Sequence, residues 1–205
     1  MKYESGFTLL ELLLVIALLA VTAGVAVQGY EGVQDQGRYD ATRFEMAELR
    51  KALLQFRRDS GTNDFPRQGI YDCTDAANGN PAGANPDMDF LEEAGSTDAE
   101  KIAWCQSPAN FWMLFVDPLG DGWNPDTHRG WNGPYLQRKS GLISYEGVDD
   151  AWGVADPYQS PFILVNDDDK ARIVSIGPDN VYDGEGANPC EPPAGSDDIV
   201  LCLLR

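Results

Sequence analysis

The sequence predicts an α+β fold, a long N-terminal α-helix packed on a C-terminal antiparallel β-sheet, and three observations lead there. Residues 7–27 are apolar throughout except for two threonines and one charge, Glu11. Tyr39, Thr42, Met46, Leu49, Leu53 and Phe56 then recur in steps of three and four, which lines them along one face of a helix. From Trp131 onward the pattern becomes short apolar runs separated by Gly, Pro and Asp, the mark of strands and turns. Length sets the scale: 205 residues hold one membrane helix and a single further domain with its own core.

The apolar stretch comes first. A helix of about 20 residues rising about 1.5 Å per residue spans roughly 30 Å of hydrocarbon, so residues 7–28 read as a transmembrane helix. Glu11 sits one turn inside it, where an ionised carboxylate facing lipid costs about 3 kcal/mol or more unless it finds a partner. The six residues in front, Met1-Lys2-Tyr3-Glu4-Ser5-Gly6, are too few for the charged region and cleavage site of an ordinary secretory signal. A plain signal anchor with an incidental glutamate is the alternative reading.

Residues 29–59 continue as an amphipathic stem. Arg43, Arg50 and Arg57 repeat every seventh position on its other face, joined by Arg38, Lys51 and Arg58. This basic segment in an acidic chain is either a solvated face or a surface that meets acidic neighbours. Lys2 alone stands on the other side of the apolar stretch, so charge does not by itself orient the helix in a membrane.

Residues 60–130 read as a loop-rich insertion. Turn formers run from Ser60 to Pro66, and residues 72–98 are dense in Asp, Asn, Gly, Pro and Ala. Residues 98–115 carry Ile102, Trp104, Phe111, Trp112, Leu114 and Phe115 and predict a short helix beneath the loop. The acidic turn at residues 117–126 has oxygen donors but lacks acidic residues at the third and twelfth positions of an EF-hand loop. Four cysteines with no CxxC spacing, in a chain led by a membrane anchor, predict two disulfides in an oxidising compartment. Three connectivities are open, and Cys73 with Cys105 and Cys190 with Cys202 are favoured because each closes a local loop. Zinc is disfavoured, since only His128 stands ready to join the cysteines.

In residues 131–205 strands are predicted at 135–138, 142–145, 161–165 and 172–176, the last two as a hairpin turning through residues 166–170. A net charge of −18 argues against a nucleic-acid partner, whose phosphates demand clustered Lys and Arg, and favours cations. Catalysis finds no support: GxSxG, a Walker A loop and HExxH are all absent, and the chain has one histidine.

A short polar leader ending in Gly6, followed by Phe7-Thr8-Leu9-Leu10-Glu11 and an unbroken apolar run, resembles the N-terminus of type IV pilins and pseudopilins. The resemblance implies that a prepilin peptidase cuts after Gly6 and methylates Phe7. It also implies that Glu11 pairs with the N-terminal amine of a neighbouring subunit as the filament assembles. Ammonium and carboxylate brought together in lipid relieve each other's desolvation cost. Further on, Trp131-Asn132-Gly133-Pro134-Tyr135-Leu136, Asp150-Ala151-Trp152-Gly153 with Pro157-Tyr158, Ser175-Ile176-Gly177-Pro178-Asp179 and Asp197-Asp198-Ile199 follow the order of the major pseudopilin of type II secretion systems.

By this resemblance, residues 1–6 are a leader and residues 7–28 the transmembrane and assembly helix. The chain is then a non-enzymatic subunit of a periplasmic filament, inserted once in the inner membrane with its head in the periplasm. Its partners are copies of itself, other pseudopilins, the prepilin peptidase and an inner-membrane assembly platform. The resemblance also implies calcium, held by the carbonyls of Ile176 and Pro178 and the carboxylates of Asp179, Asp197 and Asp198; Asp183 and Glu185 lie near enough in sequence to be alternative ligands. Several positions depart from the pattern: Ser5 replaces a basic residue, Gln28 a proline, residues 154–156 widen one motif and residues 188–196 lengthen the last loop. A minor type IV pilin and a membrane-anchored binding module exported by the same route remain as alternatives.

Overall fold

Residues 8–89, 91–120, 122–137, 152–166 and 170–204 are described by the structure, a computed structural model, which divides into two compact units, Met1–Ala41 and Thr42–Arg205. Its first element is the helix α1, Leu9–Ser60. Thr8 and Glu11 start it reciprocally: the Glu11 amide donates to Thr8 Oγ1 at 3.3 Å, and the Thr8 amide and hydroxyl each donate to Glu11 Oε2 at 3.0 Å. This is the T-x-x-E capping box, which satisfies amides that a helix start leaves without partners. The first unit leaves its apolar side chains uncovered, Leu9 at 82% and Val25 at 69% exposure. Among the described residues no helix is long and apolar enough to cross a membrane. Phe7 and the side chains of residues 26–31 lie outside that set.

In the second unit α1 buries Thr42, Met46, Leu49, Leu53 and Phe56 of the stripe expected from the spacing, with Ala52 beside them, whereas Tyr39 is 37% exposed. Met46, Leu49, Ala52, Leu53 and Phe56 share one core with Leu164, Ile173 and Ile199 of the sheet and with Phe162, Ala171 and Leu203 beside its strand ends. The sheet has the order β3-β4-β5, with β3 Ile163–Val165, β4 Arg172–Ser175 and β5 Ile199–Cys202, antiparallel throughout. Ile163 pairs with Val174 and Val165 with Arg172, which is the predicted hairpin, while Ser175 pairs with Ile199 and Arg172 with Cys202. All four residues of β4 are buried, as befits the central strand.

The strand expected at residues 135–138 does not form over its described part. The Tyr135 and Leu136 amides donate to the Leu114 carbonyl, so they clasp a buried turn instead of joining the ladder. The strand expected at 142–145 and the hairpin tip at 167–169 lie outside the described residues.

Residues 60–130 supply much of the core despite their loop-like composition. Phe65, Tyr71, Met88, Leu91, Trp104, Phe111, Trp112, Met113 and Leu114 are all buried with the α1 stripe. A small ladder pairs β1, Thr74–Asp75, with β2, Asn80–Ala84. Helix α2, Asp98–Gln106, opens on a second capping box, Thr97 with Glu100. It ends before Pro108, so the helix expected to run to residue 115 becomes α2 and a 3-10 turn, Trp112–Leu114.

Two arginine placements differ from a simple outward basic face. Arg50 Nε and Nη2 donate to the Leu203 carbonyl at 3.1 and 3.0 Å, and Arg57 Nε donates to the Asn63 carbonyl with its guanidinium 5.3 Å from the Phe65 ring centre. Both arginines therefore hold the head together, while Arg38, Arg43, Lys51 and Arg58 are exposed on this helix.

Arg67 acts as a clamp of the same kind, more deeply buried. Its Nη1 donates to the carbonyls of Gln106 and Ser107 at 3.0 and 2.9 Å, and its Nη2 to that of Leu164 at 2.6 Å. The Leu164 amide in turn donates to the Pro108 carbonyl, so the outer edge of β3 is tied to the end of α2. Burial pulls the guanidinium down to about 10. Replacing Arg67 with Met leaves three carbonyls without these donors and will destabilise the fold by about 2 kcal/mol, read from urea unfolding of the full chain in detergent.

Candidate functional site

The acidic loop between β4 and β5 is built from its two ends inward. At the end of β4 the chain turns at Gly177, φ +65°, where a Cβ would lie 2.7 Å from the Asp197 carbonyl and 2.8 Å from its carboxylate. Only glycine lets Asp197 approach the strand end this closely. At the other end, the Cys190–Cys202 disulfide ties the loop to β5, just as Cys73–Cys105 ties the β1 segment to α2. These are the two pairings that local loop closure favours.

Between these ends a carboxylate oxygen from each of Asp183, Asp197 and Asp198 lies within 4.8 Å of the other two. Asp197 Oδ2 accepts the Asp179 amide at 3.2 Å, and Asp198 Oδ2 accepts the Asp183 amide at 3.1 Å. Asp198 is 4% exposed and its Oδ1 has no hydrogen-bond partner. Its carboxyl is raised above the ordinary range, by burial first and by the charges of Asp183 and Asp197, against the opposing pull of the Asp183 amide. A buried oxygen with no donor, beside two further carboxylates, suits a hard divalent cation.

The other expected ligands fall around this group. Ile176 is buried at the end of β4, and Pro178 is exposed just after it, so both carbonyls lie on the turn that carries Gly177. Asp179 turns its Oδ1 to the Val181 amide at 2.8 Å. Glu185 faces the buried Arg172, Oε2 to Nη2 at 3.5 Å. In the other acidic turn, Asp117 accepts the amides of Leu119, Gly120 and Gly122, so its carboxylate shapes that loop, and Asp121 lies outside the described residues.

Behind the loop is a network that sequence reading did not find. Asp156 is 5% exposed and accepts the amides of Tyr158 at 2.9 Å and Ser160 at 3.0 Å on Oδ1, and the Ser175 hydroxyl on Oδ2. The Ser160 hydroxyl donates onward to Asn180 Oδ1 within the acidic loop. An aspartate followed closely by Tyr, Gln and Ser does signal a side-chain-capped turn, but nothing local announces that β4 supplies the third donor.

Gly6 and Phe7 lie outside the described residues, and Glu11 occupies the cap of α1. Sequence reading gave Glu11 only the assembly role implied by resemblance; the T-x-x-E pattern at residues 8–11 is the helix-start signal it passed over.

Comparison with known proteins places these features. Residues 1–27 match the family model described as the prokaryotic N-terminal methylation motif. A protein named "Probable minor fimbrial protein" from Dichelobacter nodosus is 30% identical over 99 residues, 46% of this chain and 61% of that relative. The matched region thus spans less than two thirds of the relative's length. No solved structure matches the chain. In its methylation motif, its likeness to this relative and its helix-and-sheet build, the chain resembles a type IV pilin-like protein.

Proposed function

We propose that the chain is a structural subunit of a periplasmic filament, inserted in the inner membrane by residues 7–28 before assembly. The observation that carries this reading is the uncovered apolar stretch of α1 that lies within the methylation motif. Leu9, Leu12, Leu13, Ile16 and Leu19 are half exposed or more, a surface that water alone does not tolerate over such a length. Gly24 and Gly32 add support: each weakens a helix by about 1 kcal/mol relative to alanine, and a Cβ at either would touch nothing within the chain. Close approach of another helix gives them a purpose.

Among filament subunits, the pseudopilus of a type II secretion system fits best. The acidic loop supports this, with calcium held by Asp197 and Asp198, the carbonyls of Ile176 and Pro178 and a third carboxylate, assigned to Asp179 by the resemblance. Bound there, calcium would supply positive charge between the end of β4 and the start of β5. A minor type IV pilin is the second reading, favoured by the printed name of the D. nodosus relative. In both readings the role is mechanical, with other subunits, a prepilin peptidase and an assembly platform as partners.

Expressed beside a prepilin peptidase, the mature chain will begin at Phe7 and weigh 14 Da more than the cleaved sequence, the mass of one methyl group replacing hydrogen, about the smallest covalent change a mass spectrum resolves. Gly6→Val will retain the leader. An N-terminus elsewhere, or an uncut wild-type chain in the presence of active peptidase, removes the proposal.

A further inference from the structure

We propose that Asp183 supplies the third carboxylate ligand of the cation and that Asp179 holds the loop instead of the ion; this rests on the calcium reading above. The carboxylate of Asp179 is already engaged, accepting the Val181 amide at 2.8 Å from within its own turn. That bond orients it toward its own turn, and it stands outside the group of carboxylates whose oxygens lie within 4.8 Å of one another. Asp183 has its carboxylate beside Asp197 and Asp198, and its amide is bonded to Asp198 Oδ2 at 3.1 Å.

The segment that presents Asp183 is pinned on both sides. Asn180 accepts the Ser160 hydroxyl, which is backed by Asp156, and Glu185 pairs with the buried Arg172 at 3.5 Å. Asp183 lies between these two tethers, so its position does not depend on the ion. Glu185 is committed to Arg172 and is removed from the ligand set. The second observation pointing to an ion is Asp198 itself, nine-tenths buried with Oδ1 unpartnered beside two other carboxylates. Three carboxylates around one position repel one another, and a divalent ion both relieves that repulsion and completes the shell of the buried oxygen.

The test is calorimetric titration of the full chain in detergent with calcium chloride, after stripping with chelator. Asparagine is the informative replacement, because its side-chain oxygen still caps Val181 when placed at 179, while at 183 it removes the ligand charge. Asp179→Asn will bind calcium within about threefold of wild type, and Asp183→Asn will lose at least about tenfold in affinity. Circular dichroism of each variant in chelator checks that the fold is intact. A wild-type chain that binds no calcium removes the calcium reading and this assignment with it. A wild-type chain that binds, with Asp183→Asn binding equally well or Asp179→Asn losing as much as Asp183→Asn, overturns the ligand assignment alone.

Discussion

Glu11→Gln will leave the chain in the membrane and abolish filaments. Glutamine keeps an oxygen that can accept the Thr8 amide and hydroxyl, so the cap of α1 survives in outline. Insertion does not suffer, because removing a charge from an apolar helix lowers the cost of burial in lipid by about 3 kcal/mol. What disappears is the charge that would pair with the N-terminal amine of the next subunit. In hydrocarbon that amine, left alone, carries a desolvation penalty of several kcal/mol, enough to shift an assembly equilibrium by orders of magnitude. Thr8→Ala is the complementary variant, since it removes the hydroxyl of the cap and leaves the carboxylate. It will weaken the helix start by about 1 kcal/mol and still assemble. Membrane extraction and electron-microscopic counts of filaments read both outcomes. Normal filaments from Glu11→Gln, or none from Thr8→Ala, would show that Glu11 serves α1 as a cap and assembly does not use its charge.

How far the sequence discloses this molecule depends on whether the cause of a feature is local. The buried stripe of α1 was legible because helix geometry converts spacing directly into a face, and Met46, Leu49, Leu53 and Phe56 keep that spacing. The β3–β4 hairpin was legible for the same reason, two apolar runs around a polar turn. β5 was less so: Ile199, Val200 and Leu201 look like any apolar tail until Ser175 and Arg172 are placed beside them. Residues 60–130 hid their contribution altogether. Phe65, Tyr71, Met88 and Leu91 are single apolar residues among turn formers, without period, and it is the Cys73–Cys105 bridge and the clamp of Arg67 that bring such segments onto the core.

At the acidic loop, composition indicated a cation and resemblance indicated residues. Which carboxylate faces inward was decided by hydrogen bonds of two different origins. Asp179 is turned by a bond to its own neighbour, Val181, and Glu185 by an arginine on a strand thirteen positions earlier in the chain. The first kind is readable in principle from an aspartate two residues before an amide. The second requires the fold. The basic stem teaches the same point: the seven-residue repeat of Arg43, Arg50 and Arg57 looks like one surface, yet Arg50 and Arg57 are drawn to the carbonyls of Leu203 and Asn63.

Asp156→Ala will be the most damaging single change in the second unit among those considered, costing about 3–5 kcal/mol. The alanine leaves the Tyr158 and Ser160 amides and the Ser175 hydroxyl facing an apolar methyl, and the carboxylate they surround is 5% exposed, so water does not readily replace it. At about 2–4 °C per kcal/mol for a chain of this size, the melting temperature should fall by about 6–20 °C. Asp156→Asn separates hydrogen bonding from charge. The amide oxygen can still accept both backbone donors, and the Ser175 hydroxyl can rotate to accept from the new NH2 group, since a hydroxyl both donates and accepts. The cost should then fall to about 1 kcal/mol. Because Ser160 passes the connection to Asn180, the alanine variant should also weaken calcium binding, whereas Ser175→Ala, which leaves both turn amides bonded, should not. Equal destabilisation by Asp156→Ala and Asp156→Asn would mean that the charge itself, and not the set of accepted hydrogen bonds, holds the acidic loop against the sheet.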